Sequence, residues 1–112
     1  MDNIPEEIKN LPDDDLLRAR DAAWIALVDF YYGNIKPRFY KHRVKGKLQF
    51  INPFKDIDEY NTVNVEAMKY NKVYWPIHME CARRGLPSIP YDVLWTWREE
   101  ETPDGLRYIR NE

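Results

Sequence analysis

One amphipathic segment near the N-terminus constrains the fold more than any other feature of the sequence. Between Pro12 and Gly33, apolar residues recur every three or four positions, the spacing that places them on one side of an α-helix. Asp13 is a suitable N-terminal cap, and Gly33 is typical of the residue that ends a helix. We therefore predict a helix over residues 14–32 with one buried side. The side chains predicted to face the core are Leu16, Leu17, Ala23, Trp24, Leu27, Val28, Phe30 and Tyr31, and those left for solvent are Asp14, Arg18, Asp21 and Asp29.

Residues 36–51 alternate charged and apolar side chains around Gly46, a pattern typical of a β-hairpin. A three-residue loop over residues 44–46 would place Arg43 opposite Lys47 and would separate a charged face from an apolar face. A two-residue loop would oppose charged residues to apolar ones on both faces. The three-residue loop is therefore predicted.

A second helix is predicted over residues 64–84. Gly85, followed by a leucine and a proline, is typical of a helix that ends in a left-handed residue. Pro76 would remove a hydrogen bond at mid-helix, so a shorter helix that starts at Pro76 is the alternative. The polar residues 55–61 before the helix are predicted as a loop. One stripe of this helix carries Met68, Trp75, Met79 and Ala82.

The C-terminal part of the chain predicts a second hairpin. Apolar residues flank a turn signal at residues 102–105, and a loop over residues 103–105 would place Glu101 opposite Arg107. A helix over residues 88–101 is the competing interpretation. Its last turn would hold three glutamates at the negative end of the helix dipole, which favours the strand.

Together these elements predict an α+β fold. The order helix, hairpin, helix, hairpin indicates one small domain over residues 1–112, with antiparallel strands packed against the central N-terminal helix. A chain of 112 residues suits a single domain. Because Cys81 is the only cysteine, no intramolecular disulfide is available and the apolar core must hold the fold.

The sequence predicts a protein that is neither exported nor inserted in a membrane. The N-terminal residues are acidic and lack the basic and apolar regions of a signal peptide. The longest apolar run, residues 22–32, is about half as long as the roughly 20 residues that a membrane helix needs, and it contains Asp29. A cytoplasmic protein without a membrane segment is expected.

The net charge of −2 conceals a strong segregation of charge along the chain. Residues 1–29 carry eight acids and three bases, residues 30–55 carry seven bases and no acid, and residues 56–112 carry eleven acids and seven bases. Near-neutrality excludes a uniformly basic protein that coats nucleic acid. One cationic segment between two acidic ones indicates instead an electrostatic site in the first predicted hairpin.

The basic hairpin, residues 36–47, is the candidate binding site. Lys41, Arg43 and Lys47 would lie on one face, where like charges repel unless an anion lies near them. Phe39 beside them offers an aromatic anchor for a protein partner or a stacking surface for nucleic-acid bases. A third interpretation is that the acidic segments on either side neutralise the hairpin within the chain.

Other reactive residues do not form a complete catalytic or metal-binding set. His78 and Cys81 are three positions apart on the second predicted helix, but a structural zinc site needs four such ligands, and core packing of Cys81 is the simpler interpretation. The carboxylates of residues 56–59 lack the spacing of a calcium loop and are interpreted as a solvated loop. Those of residues 13–15 are interpreted as helix capping. No catalytic residue, metal or cofactor is predicted.

These observations predict a small non-enzymatic binding protein, a regulator or inhibitor that docks a partner protein through a charged, aromatic-rich surface. Aromatic residues make up 14% of the chain, with four Trp and eight Tyr, and both types are favoured at protein interfaces. Phe39, Lys41, Arg43 and Lys47 are the predicted contact residues. The alternatives are a nucleic-acid-binding module that uses residues 36–47 and an accessory domain whose charges are neutralised internally.

Overall fold

The computed structural model describes residues 4–39, 41–50, 53–103 and 105–111 of the chain. Its helices are α1 (Glu6–Lys9), α2 (Asp13–Asn34), α3 (Ile57–Arg83) and α4 (Tyr91–Leu94), with a 3₁₀ turn at Lys36–Phe39. Its strands form two antiparallel hairpins, β1 (Lys41–Val44) with β2 (Lys47–Phe50) and β3 (Trp97–Thr102) with β4 (Gly105–Arg110). This is the predicted α+β fold, in the predicted order of helix, hairpin, helix, hairpin.

Helices α2 and α3 run in opposite directions and pack against each other. Leu16 of α2 meets Ile77 and Cys81 of α3 in the core. Towards the other end of the pair, Phe30 stacks on Tyr70 with ring centroids 5.0 Å apart. Leu16 and Phe30, both on the apolar side of α2 that the sequence spacing predicts, thus face α3.

The second hairpin packs on the C-terminal half of α2, as predicted for strands against the central helix. Tyr32 stacks on Trp97 with centroids 5.8 Å apart and meets Tyr108 edge-on at 4.7 Å. Asp29, which the sequence pattern leaves for solvent, accepts a hydrogen bond from Trp97 Nε1 at 2.8 Å and pairs with Arg110 at 3.0 Å. The hairpin therefore covers this carboxylate and supplies it with two donors.

Helix α2 is longer than predicted at both ends. Asp13 begins the helix rather than capping it, Pro12 stands at the cap without a side-chain hydrogen bond, and Asp13 pairs instead with Arg84 at 2.9 Å. Gly33 lies inside the helix, so its predicted role as the stop is wrong. The helical hydrogen bonds continue to Ile35 because burial of that side chain holds the chain against the core.

Helix α3 begins within the stretch predicted as a loop. Asp56 caps it by accepting a hydrogen bond from Glu59 N at 2.9 Å, so the carboxylates of this stretch serve helix initiation. Pro76 lies inside the continuous helix, and the shorter helix starting there is wrong. One backbone hydrogen bond is lost at Pro76, but Tyr74 and Ile77 are buried on either side of it, and their packing outweighs that loss.

The end of α3 confirms the predicted left-handed glycine. Gly85 has a φ of 69°, and the N–H groups of Gly85 and Leu86 donate to Ala82 O at 3.1 Å and Cys81 O at 3.0 Å. These two bonds form a Schellman motif, in which any residue other than glycine at position 85 would be strained.

The first hairpin has a two-residue turn, so the predicted register is wrong. Arg43 pairs with Leu48 instead of Lys47. Lys45 and Gly46 both have positive φ, 53° and 80°, as in a type I′ turn. This turn matches the right-handed twist of the strands and therefore sets the register. The resulting register does not separate charged from apolar positions, which the predicted three-residue loop would have done.

The second hairpin is confirmed, but its register lies one residue from the prediction. Thr102 pairs with Gly105, and Glu100 pairs with Arg107, the ion pair between them measuring 3.1 Å. Thr102 Oγ1 donates to Gly105 O at 2.7 Å and closes the turn. The sequence offers a strand and a helix as competing predictions for residues 88–101. The structure contains both, because the short helix α4 comes first and β3 follows.

The molecule is elongated for its mass. Its extents are 57 × 32 × 19 Å, and its radius of gyration is 17.5 Å, against about 13 Å for a compact chain of this length. The accessible surface is 8160 Å², against about 6,600 Å² for a monomer of 13.6 kDa. Among the described residues, no helix combines the length and the apolar character that crossing a bilayer requires. The large accessible surface shows that the two long helices leave much polar and apolar surface uncovered.

Leu16→Ala tests the core between α2 and α3. Leu16 has no accessible surface, so we expect the substitution to leave a cavity and to lower the free energy of unfolding by about 3 kcal/mol. The matched control is Ile57→Ala, at an exposed aliphatic side chain, for which we expect a change below about 0.5 kcal/mol. Urea denaturation followed by circular dichroism measures both. Equal losses in the two variants would contradict the described core.

Candidate functional site

An open cavity of about 390 Å³ lies between α2, α3 and the segment that contains α4. Helix α2 forms one wall. Its lining residues are spaced three and four positions apart, so they share one face of the helix. The other walls come from one residue of α3 and from the end of α4. We call this the aromatic cavity, and its lining residues are Trp24, Leu27, Val28, Tyr31, Tyr32, Asn71, Leu94 and Trp95.

Hydrogen bonds hold the walls of the aromatic cavity in place. Trp24 Nε1 donates to Leu94 O at 3.3 Å, which joins α2 to α4. Asn111 donates from Nδ2 to Trp95 O at 3.0 Å and from its backbone N–H to Thr96 O at 2.7 Å. The residue that follows β4 thereby fixes the segment that carries Trp95.

Large aromatic side chains stand exposed in the lining of the cavity, at Trp95 and Tyr31, and beside it, at Tyr91. Trp95 keeps 49% of its surface exposed, and Tyr91, whose ring centroid lies 6.4 Å from that of Trp95, keeps 78%. Tyr31 is also exposed, although its spacing along α2 predicts a place in the core. Exposed tryptophan and tyrosine are typical anchors of protein interfaces.

The aromatic cavity offers apolar contacts together with a side-chain amide that has no hydrogen-bond partner in the described part of the chain. None of its lining residues carries a charge at neutral pH, and burial raises the pKa of Tyr32, which keeps that hydroxyl protonated. Within the described residues, the side-chain amide of Asn71 makes no hydrogen bond, so it is free to bond to a molecule in the cavity. Such a lining suits binding, whereas bond-making chemistry needs an activated acid, base or nucleophile.

The predicted contact residues occupy the first hairpin and the turn before it. Phe39 ends the 3₁₀ turn, Lys41 and Arg43 lie in β1, and Lys47 lies in β2. In the observed register, positions 41 and 43 share a face with positions 48 and 50, whereas Lys47 pairs with Val44 on the other face. The hairpin therefore does not assemble the three cations on one face. The side chains at positions 39, 41 and 43 lie outside the described part of the structure, and their role in binding stays a prediction.

Acidic side chains of the flanking segments neutralise part of the basic segment. Arg38 pairs with Glu59 at 2.6 Å, and its guanidinium lies 4.6 Å from the centroid of the Phe54 ring. On the C-terminal side, Glu100 pairs with Arg107 of its own hairpin. Lys47 is exposed, and no acidic side chain of the described ranges lies within 4 Å of its ammonium group. The described acidic side chains thus neutralise the basic segment only in part.

His78 and Cys81 are held in structural contacts. His78 Nδ1 lies 3.1 Å from the hydroxyl oxygen of Tyr74, and Cys81 is buried in the core, as predicted. Burial raises the pKa of the Cys81 thiol, which therefore stays protonated at neutral pH. In the part of the chain that the structure describes, no three His, Cys, Asp or Glu side chains are grouped as a metal ion would require.

A buried ion-pair cluster that the sequence analysis misses joins three helices. Glu80 has no accessible side-chain surface and accepts hydrogen bonds from Arg83 at 2.8 Å and Arg84 at 2.7 Å. Arg84 also donates to Leu11 O at 2.8 Å and pairs with Asp13 at 2.9 Å. The spacing of three and four positions indicates ion pairs on one helix, but it does not show that neighbouring helices bury them.

Arg20 is a second buried charge that the sequence analysis misses. Its Nη1 donates to Pro87 O at 2.6 Å, and its guanidinium pairs with Asp21 at 3.2 Å. These contacts tie α2 to the segment that follows α3. Both buried charges thus serve the fold rather than the aromatic cavity.

The pH dependence of stability tests the cluster around Glu80. Hydrogen bonds from Arg83 and then Arg84 lower the pKa of Glu80 from 4.5 to about 2, against the opposing effect of burial. Because the folded-state pKa is the lower one, the stabilisation is complete above pH 4.5 and is lost as the pH falls towards 2. We therefore expect the difference in melting temperature between wild type and Glu80→Gln to be largest at neutral pH and to close between pH 4.5 and 2.

Glu66→Gln is the matched control for this series. Glu66 pairs with Lys69 on the exposed surface of α3, where an ion pair contributes little. We expect its melting temperature to stay close to that of the wild type at every pH. A Glu80→Gln difference that stays constant down to pH 2 would contradict the stabilising role of the buried carboxylate.

Comparison with known proteins returns no match. No family model matches the chain, and neither a curated protein nor a solved structure matches it. The aromatic cavity and the charge distribution of the chain itself are therefore the basis for assigning a function.

Proposed function

We propose that this chain is a non-enzymatic protein-binding module that docks an apolar segment of a partner protein in the aromatic cavity. The observation that carries the proposal is the open, uncharged cavity with Trp95 exposed in its lining and Tyr91 exposed beside Trp95. Tryptophan and tyrosine are enriched among the residues that dominate the binding energy of protein interfaces. A module of this kind would regulate or inhibit the partner that it binds.

The size of the cavity favours side-chain anchors of a protein over a large cofactor. A volume of about 390 Å³ lies near the lower end of the range for ligand sites, roughly 300–1,000 Å³. One or two large apolar side chains suit such a volume. Their burial, with that of the exposed rings, contributes about 25 cal/mol for each Å² of apolar surface removed from water.

Asn71 supplies the polar contact that orients the docked segment. It lines the cavity from α3, opposite the wall formed by α2. Its amide presents a donor and an acceptor, and a peptide backbone presents the complementary groups. A segment that fills the apolar space and bonds to Asn71 would satisfy both halves of the site.

The basic hairpin indicates the charge of the proposed partner. Lys45 and Lys47 are exposed in the turn and in β2, and the sequence adds Lys41 and Arg43 in β1, with Phe39 before them as a further anchor. Exposed charges act mainly on the rate of encounter, so acidic residues on the partner would speed association more than they would strengthen the complex. The proposed partner therefore carries acidic residues as well as its apolar anchor.

The proposal includes a cytoplasmic location. A fold that an apolar core holds without a disulfide suits a reducing compartment. The non-enzymatic part of the proposal is supported by the uncharged lining of the cavity. The proposal thus requires one ligand, a partner protein that carries the apolar anchor.

Selection from a random displayed peptide library tests the aromatic cavity. The immobilised chain should enrich peptides with an apolar or aromatic anchor, and a synthetic copy should shift tryptophan fluorescence to shorter wavelength as Trp95 is buried. We expect Trp95→Ala to weaken binding of that peptide at least about tenfold, or about 1.4 kcal/mol, because interface anchors of this type cost that much or more. Isothermal titration calorimetry measures the affinity.

Trp75→Ala is the matched control for Trp95→Ala. Trp75 is also a half-exposed tryptophan, but it lies on α3 outside the aromatic cavity. Its substitution should leave the peptide affinity within about twofold of the wild type, as for surface changes away from a site. Failure to enrich any peptide, or equal weakening by both substitutions, would overturn the proposal.

The double substitution Lys41→Glu, Arg43→Glu tests the contribution of the basic hairpin. With a version of the selected peptide flanked by aspartates, we expect the association rate at low salt to fall about fivefold while the dissociation rate changes little. The difference should shrink as salt rises, because exposed charges are screened. Surface plasmon resonance measures both rates. An unchanged association rate would remove the hairpin from the proposed interface.

The alternative function, nucleic-acid binding through residues 36–47, predicts a different set of results. A single-stranded oligonucleotide would bind more tightly as salt falls, and the double substitution would abolish that binding. Trp95→Ala would leave it unchanged. This outcome would contradict the aromatic cavity as the main site.

A further inference from the structure

The outer face of α3, turned away from α2, carries a heptad stripe. Its positions alternate three and four residues apart, which is the spacing of a helix seam that faces another helix. Met68 is 54% exposed and Trp75 is 52% exposed, whereas Tyr74, Ile77 and Cys81 on the opposite side of α3 are buried. The heptad stripe consists of Val65, Met68, Lys72, Trp75, Met79 and Ala82.

Trp75 is held in place within the heptad stripe although it is exposed. Its ring meets Tyr74 and His78 edge-on, with centroids 5.6 and 5.2 Å away. It also borders a shallow groove of about 310 Å³ that Met68 shares. An exposed tryptophan that is already ordered loses little conformational freedom when another surface covers it.

The surplus surface of the chain is large enough for an interface of standard size. The accessible surface of 8160 Å² exceeds by about 1,600 Å² the roughly 6,600 Å² expected for a monomer of this mass. A standard interface buries about 800 Å² on each partner. Covering one face of α3 would therefore remove about half of the surplus.

We propose that α3 pairs with the α3 of a second copy of this chain, antiparallel about a two-fold axis near Lys72. The heptad stripe is nearly symmetric about that position. Val65 and Met79 lie seven residues to either side of it, Met68 lies four before it, and Trp75 lies three after it. The axis brings Met68 against Trp75 of the second copy and Val65 against Met79, so the stripe complements itself as a two-fold interface requires. A thioether against an aromatic ring is a favourable contact.

The charges at the two ends of α3 favour the antiparallel orientation. Asp58 and Glu59 lie in its first turn, and Arg83 lies in its last. In an antiparallel pair each acidic end lies beside the basic end of the other copy, and the two helix dipoles oppose each other. A parallel pair would bring like charges together at both ends.

Lys72 is the polar position within the heptad stripe and sets its register. Its long apolar stem can lie along the seam while the ammonium group reaches water at the edge. A single polar residue in such a seam lowers stability but disfavours other registers. Lys72 therefore lies where two copies cross, with the apolar contacts on either side of it.

Cysteine cross-linking tests the pairing and its direction. Cys81 is buried, so an introduced surface cysteine is the reactive thiol. The thiol of Lys72→Cys would lie beside the thiol at the same position of the second chain, across the axis. This variant would therefore form a disulfide-linked dimer under mild oxidation. In Val65→Cys the two substituted positions, one in each chain, would lie about 21 Å apart, given the rise of 1.5 Å per residue. This variant should therefore cross-link at least about tenfold more slowly. A mixture of Val65→Cys and Met79→Cys should cross-link readily.

Val73→Cys is the matched control, since Val73 is an exposed valine of α3 beside the stripe rather than in it, and it should not cross-link. Light scattering of the wild type should give twice 13.6 kDa, and Trp75→Glu should give 13.6 kDa with an unchanged helical circular dichroism spectrum. Peptide binding in the aromatic cavity should survive Trp75→Glu, so failure of the pairing and failure of the proposed function are distinguishable.

Three results would overturn the proposed pairing. The first is a wild-type mass of 13.6 kDa at about 0.1 mM, where an interface of standard size is expected to form. The second is a dimer that persists in Trp75→Glu. The third is self-cross-linking of Val65→Cys as fast as that of Lys72→Cys, because only a parallel pair places Val65 beside its own copy.

Discussion

The buried carboxylate of Glu80 is the contact on which the arrangement of the helices depends. Since it has no access to water, it needs the arginines that bond to it, and Arg84 in turn bonds to backbone carbonyls at the end of α1 and to Asp13 at the start of α2. One charged group thus brings the C-terminal end of α3 to the N-terminal end of α2. From that junction the helices run antiparallel, with the apolar cluster around Leu16 beside the charges.

Two long helices joined in this way leave surface uncovered on both sides, because each buries only the face turned towards the other. The second hairpin covers the C-terminal half of α2 through Tyr32 and Trp97, and the space between α2, α3 and the α4 segment is the aromatic cavity. In the heptad stripe on α3, the side chains of Val65, Met68 and Trp75 stay more than half exposed. Both proposed contacts, one with a partner protein and one with a second copy, fill surface that the fold itself leaves open.

Sequence patterns predict the two long helices, both hairpins and the glycine that ends α3, because each depends on residues a few positions apart. They do not show that Asp56 starts α3, since caps and loops draw on the same polar residue types. The candidate site is visible only in part. Tyr31 is predicted as a core side chain but is exposed and lines the cavity, because spacing identifies an apolar face but not how completely other elements cover it.

The sequence by itself determined the local conformation of this protein, including where the chain is helical, which helix faces are apolar and where positive charge is concentrated. The tertiary structure alone decided the burial of Arg20 and Glu80 and the choice of which apolar faces stay open. The physical reason is the range of the interactions. The hydrogen bond from Arg84 to Leu11 O joins residues 73 positions apart, and such a contact leaves no periodic pattern along the chain.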